Sequence, residues 1–150
     1  MVFIGADHRG FQLKEELKKL LAELGVNFED IGNTKFDPQD DYPDFAKKVA
    51  DAVSKNPERD KGILICGSGI GVDIVANKFP SVRCAVVTTI EMAQLARLHD
   101  NTNVISLPSD HLTENEAKQV LKVWLETPFS REERHVRRLA KIREIEESRY

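Results

Sequence analysis

The chain has only two cysteines, Cys66 and Cys84, and one tryptophan in 150 residues. Two isolated cysteines build no disulfide framework, and no His or Cys stands at metal-type spacing around them. A long hydrophobic run is also missing. The N-terminal Val2-Phe3-Ile4 gives way at once to Gly5 and the charged Asp7-His8-Arg9. That stretch is too short for a signal core, and no other run approaches a membrane span. Excess positive charge is missing too: the net charge of −3 offers no general attraction to nucleic acid or an acidic membrane. These absences predict a cytoplasmic protein without membrane or nucleic-acid partners. An anionic ligand would need a local basic cluster.

What is present is an ordinary globular composition, 41% hydrophobic and 31% charged, at a length that suits a single domain over residues 1–150. The pattern alternates. Val2-Phe3-Ile4 reads as a strand, and Phe11, Leu13, Leu17, Leu20, Leu21 and Leu24 as a helix closed by Gly25. A strand is expected over 26–31, a loop over 33–44 with Pro38 and Pro43, and a helix from Phe45 that ends before Pro57. Gly62-Ile63-Leu64-Ile65-Cys66 is the clearest buried strand, followed by a helix over 72–79. Strands over 84–87 and 104–107 flank a helix over 91–98. Thr113 with Glu116 forms a capping-box pattern for a helix running to Glu126, and 131–147 is a last, charged helix. Five strands alternating with helices predict an α/β fold: a three-layer, doubly wound parallel sheet with an extra C-terminal helix. The common order 2-1-3-4-5 puts the switch point between the first and third strands, where ligands bind beyond the strand C-termini.

Two segments meet at that point: Asp7-His8-Arg9-Gly10 and Cys66-Gly67-Ser68-Gly69-Ile70-Gly71. Glycine at every second position after a buried strand frees the backbone to curl around a ligand, and its amides suit an anion or a developing oxyanion. The spacing matches neither the dinucleotide fingerprint nor the phosphate loop with its lysine. Cys66 ends its strand beside a helix N-terminus, a setting that favours a thiolate base or nucleophile. Cys84, inside its strand, reads as an inert core residue. Asp7 either caps the first helix or binds a substrate hydroxyl, and His8 is a candidate phosphate contact.

Two further clusters lie elsewhere. His99, in a polar turn before the fifth strand, falls at the N-terminal edge of the sheet, so a site using both Cys66 and His99 has to be shared between subunits of a homodimer. The last helix carries Arg134, Arg138 and Lys141 on one side, either a solvated face or a phosphate-binding row. Its apolar stripe is Val136, Leu139, Ile142 and Ile145.

Asp7-His8 with Gly10 and Leu13-Lys14, Asp41-Tyr42-Pro43, the Cys66–Gly71 segment, Ala76-Asn77-Lys78, Arg97, His99, Asn103, Arg134-His135 and Arg138 follow one another in order. In these the chain resembles the type B ribose-5-phosphate isomerases, a family that includes galactose-6-phosphate isomerase subunits. The resemblance implies aldose–ketose isomerisation of a sugar phosphate without metal or other cofactor. It implies Cys66 as the base, His99 as the ring opener, and Gly67, Ser68, Gly69, Ile70 and Gly71 around an enediolate. Asp7, His8 and Asp100 would touch sugar or phosphate, and Arg134 and Arg138 would hold the phosphate. Dimers, or tetramers made of them, are implied as well. The chain departs from that pattern: Asp100-Asn101 reverses the usual order after His99, Asp110 stands where arginine is common, and Glu132-Glu133 replaces two glycines. Added negative charge there should weaken or redirect phosphate recognition, leaving another sugar open. A non-catalytic sugar-phosphate sensor is the alternative from a different class.

Overall fold

Alternation of apolar residues decides how the central strands pack. In a computed structural model, which describes residues 1–149, Ile63 and Ile65 face one side of the sheet while Leu64 and Cys66 face the other, and all four are buried. The strands are β1 (Val2–Ala6), β2 (Phe28–Asp30), β3 (Lys61–Cys66), β4 (Cys84–Val86) and β5 (Val104–Pro108). The helices are α1 (Phe11–Glu23), α2 (Tyr42–Lys55), α3 (Ile70–Ala76), α4 (Ile90–Leu98), α5 (Glu114–Glu126) and α6 (Glu133–Glu147). All strand pairings are parallel. Leu17 and Leu21 of α1, Ala93 and Ala96 of α4, and Val120, Leu121 and Trp124 of α5 fill one core. Val49 and Val53 of α2 with Val72 and Ala76 of α3 fill the other. The three-layer α/β expectation therefore holds.

The strand order is β2-β1-β3-β5-β4, not 2-1-3-4-5. Burial explains the exchange. Every residue of β5 is buried, as a strand flanked on both sides requires, whereas the three residues of β4 are only half-buried and suit an edge. Crossing by α3 on one face and returning by α4 on the other keeps both connections right-handed. The switch point between β1 and β3 is unaffected.

Several boundaries also differ, among them the second strand, which spans Phe28–Asp30 rather than 26–31. The loop expected over 33–44 ends sooner, because Pro43 opens α2 in its first turn, where its missing N–H costs no hydrogen bond. Helix α3 stops at Ala76, because the next residue, Asn77, turns its side chain to the edge strand: Oδ1 accepts from the Cys84 amide (2.9 Å) and Nδ2 donates to the Cys84 carbonyl (3.0 Å). Helix α6 starts at Glu133, because Arg131 has φ +59°. The Thr113–Glu116 capping box forms as expected. Among the described residues no helix is long and apolar enough to cross a membrane.

Candidate active site

Parallel register sets Ala6 beside Ile65 and Cys66 beside Pro108, so the segments leaving β1, β3 and β5 emerge together. Cys66 is 4% exposed, and its Sγ accepts a hydrogen bond from the Gly69 amide at 3.2 Å. Gly69 has φ +75°, a left-handed conformation that glycine adopts without strain, and its carbonyl accepts from the buried Ser106 hydroxyl. The bend is thus fixed from below by β5 and turned onto the sulfur above. Ser68 and Ile70 are exposed, with the Ser68 Oγ accepting from the Ile70 amide at 3.2 Å. The Tyr42 ring lies so close to Gly71 that a Cβ there would stand 2.6 Å from it. Cys66 and residues 67–71 therefore form a ledge of amides at the C-terminal edge of the sheet.

Asp7 forms the adjoining wall and is buried. Its Oδ1 accepts from the amides of Arg9 (3.0 Å) and Gly10 (3.2 Å), closing the turn that precedes α1. Burial pushes the Asp7 carboxyl above its usual range, against the pull of those amides and of His8. His8 is half-buried, and its amide and Nδ1 lie 2.9 and 2.7 Å from Asp40 Oδ1. Arg9 and Asp110 form an ion pair across Gly67, and the Ser109 hydroxyl lies 2.9 Å from the Arg9 carbonyl oxygen and 3.1 Å from that of Cys66. Ligand-type atoms of Asp7, His8 and Asp40 lie within 4.8 Å of one another, the spacing of a cation site.

His99, Asp100, Arg134 and Arg138 are not part of this ledge. Helix α4 runs back along the sheet and ends with His99 as its C-cap, at the edge where β5 begins. The His99 ring stacks on that of His135 with 4.4 Å between centroids, and His135 Nδ1 is 2.6 Å from the Ser130 hydroxyl. Burial, and then the neighbouring His99, hold the His135 imidazolium below its ordinary pKa. The exposed Asp100 offers its backbone oxygen to Arg83, while Arg134 pairs with Glu132 at 3.1 Å. Arg138 lies one turn beyond Arg134 on α6. One chain therefore carries Cys66 and the His99 cluster at opposite edges of its sheet. Two cavities, of about 730 and 650 Å³, flank α6 and β4, and Cys66 lines neither.

The pattern of the family described as Ribose/Galactose Isomerase matches residues 2–142. The chain belongs to the ribose/galactose isomerase family. It is 45% identical over 141 residues to a probable ribose-5-phosphate isomerase B of Mycoplasma genitalium, covering 94% of this chain and 92% of that one. It is 40% identical over 148 residues to the ribose-5-phosphate isomerase B of Escherichia coli, covering 99% and 97%. A crystal structure of the Mycoplasma genitalium enzyme with bound ribulose 5-phosphate superposes with a TM-score of 0.94, at 44% identity and over 97% and 95% of the two chains.

Several of the residues that carry the resemblance hold the fold. The Arg97 guanidinium is buried and donates to the carbonyls of Thr102 and Thr127 and to Asn101 Oδ1. Asn103 joins the Arg83 amide to the carbonyls of Pro57 and Ser81. Cys84 is a thiol: burial and the neighbouring Asp73 carboxylate push it well above its ordinary pKa. Sequence reasoning passed over Asp40 and Arg9. Asp40 is hidden in a loop with Asp37, Asp41 and Asp44, where no spacing singles it out. A better signal was Lys14, a charge on the same helical stripe as the buried Leu17 and Leu21, which has to have partners.

Proposed function

We propose that the protein interconverts an aldose phosphate and its ketose, ribose 5-phosphate and ribulose 5-phosphate by default, through a cis-enediolate. The observation that carries this reading is the Gly69 amide directed at the Cys66 sulfur inside an amide-lined ledge. Family membership and the names of the relatives support the substrate class.

In the open-chain aldose, Cys66 as thiolate takes the hydrogen on C2 as a proton. The electron pair of that bond forms the C1–C2 double bond, and negative charge passes to O1. Backbone N–H groups of residues 67–71 stabilise that charge where it develops. A proton moves from the C2 hydroxyl to O1, and Cys66 returns its proton to C1 to give the ketose. Asp7 Oδ2, which has no hydrogen-bond partner among the described residues, receives a sugar hydroxyl, and His8 faces the phosphate. His99 from a second copy assists ring opening, with Asp100 near the sugar and Arg134 and Arg138 on the phosphate.

A homodimer with shared sites is supported by the two separated half-sites and by unburied apolar surface. Ile70, Ile74, Ile90, Met92 and Leu95 are exposed around α3 and α4, and so are Val136, Ile142 and Ile145 on α6. A pair of copies related by a twofold axis would bury such faces and complete two sites at once.

Incubation with ribose 5-phosphate in heavy water tests the reading. Ribulose 5-phosphate formed with deuterium appearing on the reacting carbons is the expected result. Saturable binding with neither conversion nor exchange would identify a sensor instead.

A further inference from the structure

We propose that Asp40 is a positioning residue for the reaction: it fixes the His8 imidazole with Nδ1 turned inward, leaving Nε2 as the ring nitrogen offered to the substrate. The two oxygens of Asp40 divide their work. Oδ1 accepts from His8 twice, from the main-chain amide at 2.9 Å and from the ring at 2.7 Å. A carboxylate has no hydrogen to give, so Nδ1 carries the hydrogen of this bond; a second proton on the ring can sit only on Nε2, and as the imidazolium His8 donates from there to a phosphate oxygen. Oδ2 accepts from the Asn33 side chain at 2.9 Å.

Asn33 is itself tied to the core. Its backbone carbonyl accepts from Lys14 Nζ, which also lies 3.4 Å from its Oδ1. Lys14 is fully buried and donates to Asp30 at 2.8 and 3.1 Å. A chain of bonds therefore runs from the interior of α1 through the 33–40 loop to one ring at the ledge. The Asp40 side chain is only 7% exposed, so water competes little for these bonds. A ring held at both its main chain and its Nδ1 loses less freedom when it meets a ligand, and each bond it then makes counts for more. A loop that only joined β2 to α2 would need no bond to the His8 ring. The Asp37 carboxylate performs that local role, accepting from the Gln39 amide at 3.0 Å.

The inference rests on the proposed isomerisation for its kinetic part and stands apart from it for its spectroscopic part. The test compares Asp40→Ala, the isosteric Asp40→Asn and the control Asp37→Ala with the unaltered protein. Both Asp40 variants should raise KM for ribose 5-phosphate about tenfold, the low end of what losing the outer partner of a functional histidine costs. Meanwhile kcat should stay within about twofold, the signature of weakened binding rather than altered chemistry. Long-range proton–nitrogen spectra of ¹⁵N-histidine-labelled protein should show neutral His8 with its hydrogen on Nδ1, moving toward the Nε2–H tautomer in Asp40→Ala, which removes the acceptor, whereas Asp40→Asn removes only the charge. Asp37→Ala should leave KM and tautomer unchanged. Unchanged KM in folded Asp40→Asn, an unchanged tautomer in Asp40→Ala, or equal effects from Asp37→Ala would each overturn the assignment. If the unaltered protein converts no ribose 5-phosphate, the isomerase reading fails while the tautomer result still decides the role of Asp40.

Discussion

The amide of Gly69 donates to the sulfur of Cys66, three residues earlier in the chain, at 3.2 Å. The turn through Gly67 and Ser68 brings this N–H back over the strand, and Gly69, with φ of +75°, then directs the chain into α3. The Ser106 hydroxyl on the Gly69 carbonyl holds that reversal from the neighbouring strand. Cys66 and Ser106 on two strands, with Gly69 in the bend, thus aim one donor at one sulfur.

Gly69→Ala breaks this arrangement. The left-handed conformation costs a residue with a Cβ about 1–2 kcal/mol, and the new methyl would stand 3.0 Å from Ser106 Oγ and 3.2 Å from the Pro108 nitrogen. The variant is expected to melt at a lower temperature and to lose about 10²-fold in kcat, the low end of what a misplaced general base costs, because the shifted amide no longer supports the Cys66 sulfur. Full activity with a normal melting temperature would show that the bend does not serve the chemistry.

The separation of Cys66 from His99 makes a complementation experiment decisive. Cys66→Ala and His99→Ala homodimers should each be inactive on the ring-closed sugar phosphate. Random exchange of their subunits should return about a quarter of the original activity, because half the dimers are mixed and each has one intact site. No recovery, in a mixture shown by mass spectrometry to contain mixed dimers, would place both residues in one subunit's site.

Asp30 sets a pH dependence. Burial pushes its carboxyl up, but Lys14, Lys18 and the Gly32 amide prevail and hold it below the usual aspartate value. A lowered folded pKa contributes stability that is present above the unfolded value of about 3.9 and disappears as pH falls through the folded value. Denaturant unfolding should therefore show a steeper loss of stability below about pH 4 in the unaltered protein than in Asp30→Asn. Parallel pH profiles would contradict the pairing. Lys14→Ala, which leaves Asp30 beside an empty cavity, should cost about 3 kcal/mol at neutral pH.

The layers of the fold could be read from residues alone. Ile63-Leu64-Ile65 is apolar on both faces, and the stripes of α1, α2 and α5 have the helical period, so a parallel sheet between helices was legible. The order of β4 and β5 was not, because it turns on how deeply Cys84–Val86 and Val104–Pro108 are buried, a property of the packed molecule. At the site, Cys66, Asp7 and His8 could be found because topology brings their loops together. The wide separation of His99 from Cys66 follows from α4 running back along the sheet, which the alternation already required. Asp40 could not be found: its partners, His8 and Asn33, are 32 and 7 residues away, and only the folded loop brings them into reach. Asn77, Arg97 and Asn103 carry much of the family resemblance yet bond backbone groups, so motif strength alone does not mark a residue as chemical.

The central claim is that a sulfur at position 66 moves the proton. Steady-state turnover of ribose 5-phosphate by Cys66→Ala, with circular dichroism confirming its fold, addresses this most directly. A fall of about 10²–10⁴-fold in kcat is predicted, the usual contribution of a side-chain general base. Turnover near that of the unaltered protein would contradict it.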